Sequence, residues 1–276
     1  MSYSLVLNSS NVIGASKNTY RYDFVQGSFK IDEGAEMCIS SLTVPYSWYN
    51  VSTIYNNKSF QIVFPTLAGS TTLNITLPDG FYTVDDIDSY IKQQLYLNSL
   101  YLKDASGNII YYFTMLYNVS TYKIQMLFYT VPTSLPVGYS NPAGMTFPAT
   151  ATAPSIVISS NNFGKIIGYS AGTYGGGVAN ASTLSNLVPV GSNVNSVIVR
   201  CSLVDNKVII PTDILDSFPI NSNFGSNINY SPNFQKWMKV KAGIYSSITI
   251  TLSDQNLNDI AILDSNCLIN LFIRQK

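Results

Sequence analysis

The sequence predicts an all-β protein built from two packed antiparallel sheets. Apolar and polar residues alternate with a period of two along almost the whole chain, in runs rich in Val, Ile, Thr, Tyr and Phe. Turn-forming residues separate those runs: Glu33-Gly34, Asn56-Asn57, Ala68-Gly69, Pro78-Asp79-Gly80 and Ser106-Gly107. Of 276 residues, 46% are hydrophobic and only 11% are charged, with 20 Tyr, which suits sheet faces and excludes disorder over most of the length.

The elements follow in order. After an opening strand come "TYRYDFVQGSFKI" (19–31), "EMCISSLTV" (36–44), "SFQIVFP" (59–65) and "TTLNITL" (71–77). "NIIYYFTMLY" (108–117) and "TYKIQMLFYT" (121–130) are joined by the short polar "NVS", which fits a hairpin. "SIVIS" (155–159), "YSSITITLS" (245–253) and "CLINLFIR" (267–274) complete the set. In "NVNSVIVRCSLVDNKVIIP" (193–211), Val194, Val197, Val199, Cys201, Leu203 and Val204 form an apolar run with one charge, Arg200.

One segment has a different period. In "FYTVDDIDSYIKQQLYL" Thr83 is placed to cap a helix, with Asp86 three positions on, and Val84, Ile87, Ile91 and Leu95 share a face. Asp85 and Asp86 lie in the first turn, where the helix dipole favours acids, and Asp85, Asp88 and Gln93 fall off the apolar face. The spacing therefore predicts a single amphipathic helix of about three turns capping the sandwich. Residues 131–154 carry five Pro and read as irregular; 170–193, with "AGTYGGGVANAS", reads as a mobile loop. The expected organisation is one domain, 1–276, with a loop-rich elaboration at about 99–190. The expected core includes Cys38, Val44, Ile75, Ile87, Ile91, Val197, Val199, Ile248, Ile250, Leu268 and Leu271.

The chemistry is as informative in what it lacks. The chain has no His, which removes every His-based triad and the commonest transition-metal ligand, so no enzyme, cofactor or metal site is expected. Three Cys in apolar runs, Cys38, Cys201 and Cys267, read as buried thiols of a reducing compartment. Asp85, Asp86 and Asp88 are better explained by helix capping than by a divalent cation. "DQNLNDIAILDS" (254–265) imitates a calcium loop at Asp254, Asn256 and Asn258 but has Asp259 where Gly is required and Ser265 where Glu is required. "GTYGGG" lacks the Lys-Ser/Thr of a phosphate loop.

Fifteen basic and fifteen acidic residues leave no net charge, and "KWMKVK" (236–241) is the densest basic patch, so no specific nucleic acid is expected. "MSYSLVLNSS" lacks the features of a secretory signal, and no run reaches the ~18 apolar residues of a membrane-spanning segment. Sequons at Asn8, Asn50, Asn57, Asn74, Asn118, Asn180 and Asn229 follow from a composition rich in Asn, Ser and Thr. The weakly charged, Tyr-rich surface suits a life against other proteins.

Five stretches, in order, resemble one family. "YRYDFVQGSFKIDEGAEMCISSLTVPYSWYNVS", "LPDGFYTVDDIDSYIKQQL", "NFGKIIGYSAGTY", "NLVPVGSNVNSVIVRCSLVDN" and "ITITLSDQNLNDIAILDSNCLINLFI" are similar to the single jelly-roll minor capsid, or penton, proteins of virophages, Polinton-like viruses and related large DNA viruses. The resemblance implies an antiparallel jelly-roll sandwich, five copies of which form a homopentamer at the icosahedral vertex. It implies a double jelly-roll major capsid protein as partner, and a place in the virion after assembly in the host cytoplasm or nucleus. No Arg-Gly-Asp is present, so integrin attachment is not implied. The expected subunit interface is Tyr46, Trp48, Tyr49 and Tyr174. The alternative is a carbohydrate-binding jelly-roll used for host attachment, with Tyr46, Trp48 and Tyr49 stacking on sugars.

Overall fold

A computed structural model describes residues 1–275. The chain divides into two compact units, one made of residues 1–48 and 194–276, the other of residues 49–193. The first unit begins with β1 (Ser2–Asn8), β2 (Val12–Ile13), β3 (Thr19–Asp23), β4 (Phe29–Ile31) and β5 (Glu36–Pro45). The second contributes β6 (Ser59–Thr66), β7 (Gly69–Thr76), α1 (Val84–Leu97), β8 (Leu102–Lys103), β9 (Ile109–Ile110), β10 (Phe113–Asn118) and β11 (Lys123–Phe128). It continues through β12 (Ser155–Ile158), α2 (Asn161–Ile167), β13 (Gly172–Gly175) and β14 (Ala181–Leu184). The first unit resumes with β15 (Ser196–Cys201), β16 (Ile214–Pro219), β17 (Asn227–Tyr230), β18 (Met238–Lys239), β19 (Gly243–Tyr245), β20 (Ser247–Asp254) and β21 (Leu268–Arg274).

Eight strands of the first unit form a jelly-roll. One sheet runs β1-β21-β5-β17 and the other β16-β15-β20-β3, with β2 on the outer edge of β3. Counted one to eight along the chain, the antiparallel partners are first with eighth, second with seventh, third with sixth and fourth with fifth. Successive pairs alternate between the sheets, which is a long hairpin rolled into a double Greek key. Alternation fills the interior: Met37, Ile39, Val197, Val199, Cys201, Ile248, Ile250, Leu252, Ile269, Leu271 and Ile273 are all buried. The Cys201 thiol reaches the Met37 sulfur at 3.6 Å, linking a strand of each sheet.

Ten of the eleven expected core residues are buried, and Leu268 is not, at 42% exposed. Leu268 and Leu271 are three positions apart, and in a period-two strand such residues face opposite ways. Ile269, Leu271 and Ile273 take the inward positions, leaving Leu268 outside.

The second unit starts at residue 49, takes in the strands of 59–76 and the stretch 99–190, and encloses its own core. Its sheets run β13-β12-β6-β7 and β10-β11-β14. The expected hairpin is β10 and β11, turning through Tyr122 at a positive φ of 53°. Residues 131–154 carry no strand or helix, only isolated bridges, Val131 to Thr152 and Ser140 to Lys103. Residues 170–193, expected as a mobile loop, instead supply β13 and β14, which pair with β12 and β11. Backbone hydrogen bonds form these strands without an apolar face. Gly175 shows why the stretch is glycine-rich: at φ +85° its position would set a Cβ 2.5 Å from both the Phe128 ring and the Pro154 carbonyl.

The helix α1 has the expected capping box. Asp86 N donates to Thr83 Oγ1 (3.2 Å) and Thr83 N to the Asp86 carboxylate (2.8 Å). It runs 14 residues, belongs to the second unit, and buries Asp88 beside Ile87, Ile91 and Leu95. The buried carboxylate is compensated: Asp88 accepts from Met115 N at 2.7 Å and pairs with Lys92 at 2.6 Å. The expectation of one helix is also corrected. Ser160 caps α2, Gly168 ends it at φ 72°, and Phe163 stacks on Phe60 at 4.5 Å.

Candidate interaction surface

The antiparallel order assigns the jelly-roll's loops to its two ends. Loops 9–18, 220–226 and 255–267 lie at one end, where the chain also leaves after Pro45 and returns at Ser196. Loops 24–35, 202–213 and 231–246 lie at the other, with both termini.

The second end is firmly tied. β4 and β19 pair there, joining loop 24–35 to loop 231–246. Asp205 N donates to Lys239 O (2.9 Å) and Lys241 N to Leu203 O (2.8 Å), joining loop 202–213 to the same segment. Gln275 donates to Lys30 O at 2.9 Å and accepts from Asp32 N at 3.3 Å, pinning the C-terminal strand to loop 24–35. Phe29 meets Tyr3 edge-on at 5.0 Å and stacks on Phe24 at 5.2 Å.

From this tied base large apolar side chains project into solvent. Val25, Val208, Ile210 and Phe234 are 91, 90, 94 and 85% exposed, and Ile244, in a loop of the same end, is exposed as well. Between the loops lies a groove of about 720 Å³ lined by Glu33, Glu36, Asp205, Lys239, Lys241 and Trp237 among others. Its charges are of both signs. Arg274 lies over the Trp237 ring at 4.0 Å while pairing with Glu36 at 2.6 Å. Lys236 of the basic patch is bound to the buried Asp216 at 2.7 Å, where Tyr230 also donates at 2.7 Å. That carboxylate holds the Lys236 pKa above its usual range. Exposed apolar groups on several loops of one end, with charges of both signs between them, are the features of a candidate protein-contact surface.

The residues singled out from sequence fall elsewhere. Tyr46 and Trp48 are buried, at 5 and 1% exposed, so they are interior residues rather than surface anchors. Their rings lie 4.7 Å apart, and Tyr46 meets Phe224 edge-on at 5.8 Å. Aromatic residues after a strand read equally as core and as surface, and here the hydrophobic term decided. Tyr49 and Tyr174 are half-buried in the second unit; Tyr174 donates to Ser170 O at 3.0 Å and packs edge-on against Tyr169 at 4.8 Å. The exposed Val208–Ile210 tip was visible in sequence only as the end of an apolar run.

All three thiols are buried and unpaired. Burial pushes Cys201 up to about 12 and Cys267 up to about 11, and raises Cys38. Tyr20 is also raised, chiefly by burial and then by the neighbouring Cys267 thiol. Asp254 spends its carboxylate on Asn256 N, Asn258 N and the Asn258 amide, closing a turn. Among the described residues no cluster of three or more Asp, Glu, Cys or His could hold a metal, and no helix is long and apolar enough to cross a membrane.

No protein-family model and no curated protein matches the chain. Among solved structures it is similar to the mavirus penton protein, with 8% identity, a TM-score of 0.46 and 99% of each chain covered. It is also similar to a chain in the cryo-EM structure of the Sputnik virophage, with 11% identity, a TM-score of 0.41, and 99% of this chain and 96% of that one covered. The jelly-roll assignment comes from the strand order of the first unit.

Proposed function

We propose that the chain is a structural capsid protein of the penton type, five copies of which ring an icosahedral vertex of the virion and contact a double jelly-roll major capsid protein. The observation that carries this reading is the eight-strand jelly-roll presenting an apolar, internally braced loop end to solvent. The ordered sequence motifs support it independently. In this reading the end bearing Val208, Ile210 and Phe234 seats against the surrounding capsid protein. Contacts between copies are heterologous, as closed rings require, and Tyr49 and Tyr174 are the residues proposed for them. With 11% charged residues, these contacts depend on apolar and amide groups and are only weakly sensitive to salt.

The carbohydrate-binding alternative is weakened, because two of its three stacking residues, Tyr46 and Trp48, are buried, leaving Tyr49. Co-expression of the full chain with a double jelly-roll major capsid protein, followed by light scattering and negative-stain imaging, tests the proposal. Five-fold rings or vertex-filled shells are expected, and Ile210→Ser with Phe234→Ser is expected to weaken incorporation at least tenfold with an unchanged melting temperature. A chain that stays monomeric and never enters a shell would sink the proposal; glycan binding by that monomer would favour the alternative.

A further inference from the structure

The second unit holds a pocket of about 470 Å³, within the range of sites that bind small groups. Phe81, Tyr82, Val84, Tyr117, Ile166 and Pro189 supply most of its wall. It is held open by a residue whose only sequence signal was a sequon. Asn50 is fully buried, and its amide donates to Tyr82 O and to Gly191 O, each at 2.8 Å, while its oxygen accepts from Tyr82 N at 2.8 Å. Two separate wall segments are thereby fixed by one side chain. The Tyr82 hydroxyl is also committed, donating to Pro78 O at 3.0 Å, which orients the ring.

Among the lining residues Asp85 is the one that carries a charge. Its two acidic neighbours are occupied, Asp86 in the capping box and Asp88 with Met115 N and Lys92. The Asp85 carboxylate is exposed and makes no hydrogen bond or ion pair among the described residues. Leu187, Val188 and Val190, which flank Pro189 in sequence, are exposed apolar residues at 50, 62 and 43%. An aromatic, apolar wall with one unpaired carboxylate is complementary to a cation on an apolar stem. The flanking exposed apolar residues favour a protein surface over a free small molecule, because a protein partner would cover them too.

We propose that this pocket receives a lysine side chain of a protein partner, its methylene stem against Tyr82, Val84 and Ile166 and its ammonium group at Asp85. This assignment stands independently of the capsid reading. The test is a methyl-NMR titration of the full chain, labelled at Ile and Val. One probe is the peptide acetyl-Leu-Lys-Leu-amide; the other is the same peptide with norleucine, which keeps the stem and removes the charge.

Saturable shifts at Val84, Ile87 and Ile166 are expected, with the lysine peptide bound about five-fold more tightly, as a partly exposed charge contact allows. Asp85→Asn is expected to abolish that preference while leaving norleucine-peptide binding unchanged. Equal affinity of the two peptides for the wild type would overturn the proposal, as would shifts confined to methyls outside the pocket. Should the Asn variant be poorly folded, loss of the wild-type preference at high salt gives the same information, and a preference that survives high salt undiminished counts against Asp85.

Discussion

The two units bury cores of similar character by different rules of chain order. In the jelly-roll unit, β15 and β21 alternate cleanly, and the apolar buried set of β20, Ile248, Ile250 and Leu252, follows from counting by two. In the unit of residues 49–193, the core mixes strand positions with helix faces and with Tyr169, whose hydroxyl donates to Ile124 O at 3.1 Å. Two of its strands, β13 and β14, are made of Gly, Ala, Ser, Thr, Tyr and Leu, and are largely exposed. The difference teaches that a sheet needs an apolar face to be legible, but needs only backbone partners to form.

The largest expected effect breaks one unit and asks whether the other survives. Ile250→Asp places a carboxylate in the jelly-roll interior, where an unpaired charge costs several kcal/mol or is neutralised at comparable cost. Both tryptophans, Trp48 and Trp237, belong to that unit, so tryptophan fluorescence reports on it alone. Loss of the native tryptophan signal is expected, with a protease-resistant fragment near residues 49–193 if the units fold separately. Wild-type yield and melting would show that β20 does not lie in the core.

These contrasts explain what the sequence could disclose. The alternating strands, the Thr83–Asp86 capping box and the β10–β11 hairpin are local signals, and each was legible. The partnership of first with eighth strand spans almost the whole chain, and no local pattern encodes it; the ordered motifs supplied it by resemblance. No local signal marks residue 49 as the point where one compact unit gives way to the other, because β6 opens with the same alternation as β15 and β21. Burial was the part of the candidate surface that sequence did not disclose: Tyr46 and Trp48 are buried while Val208, Ile210 and Phe234 are exposed, since exposure depends on what the fold brings alongside. Asn50 illustrates the same limit: its role is set by Gly191, 141 positions away.

Alkaline pH separates the units by a smaller amount. All three cysteines lie in the jelly-roll unit, and burial holds each protonated above its ordinary value of 9.0. The unfolded chain loses these protons first, so the folded state binds more protons above about pH 9, and stability falls as pH rises. That contribution is complete below pH 9 and is lost through the folded values of about 11 for Cys267 and about 12 for Cys201. For Cys201 the loss is roughly 2 kcal/mol by about pH 10.5. The other unit has no cysteine, and its raised groups are tyrosines, among them Tyr112 at about 12 and Tyr169, both starting from 10.0. Its loss should therefore begin about one pH unit higher. Denaturant melts in reductant at stepped pH, read by tryptophan fluorescence and by circular dichroism, are expected to diverge above about pH 9. Coincident curves would mean that the units unfold as one.

The smallest effect compares one glycine from each unit. Gly175 and Gly27 both have positive φ, +85° and +77°, so alanine at either carries the left-handed backbone cost of roughly 1–2 kcal/mol. They differ in surroundings. A Cβ at Gly27 meets nothing within 4 Å, whereas at Gly175 it meets the Phe128 ring and the Pro154 carbonyl at 2.5 Å. Phe128 is fully buried among the core side chains of its unit, so its ring has little room to retreat, and the carbonyl belongs to the backbone. Overpacking of this kind adds about 1–3 kcal/mol. Gly175→Ala is therefore expected to lower the melting temperature of the second unit by several degrees more than Gly27→Ala lowers that of the first, with chemical denaturation giving the same order. Equal effects would mean that β13 can shift away from Phe128, and that the glycine is there for its backbone conformation alone.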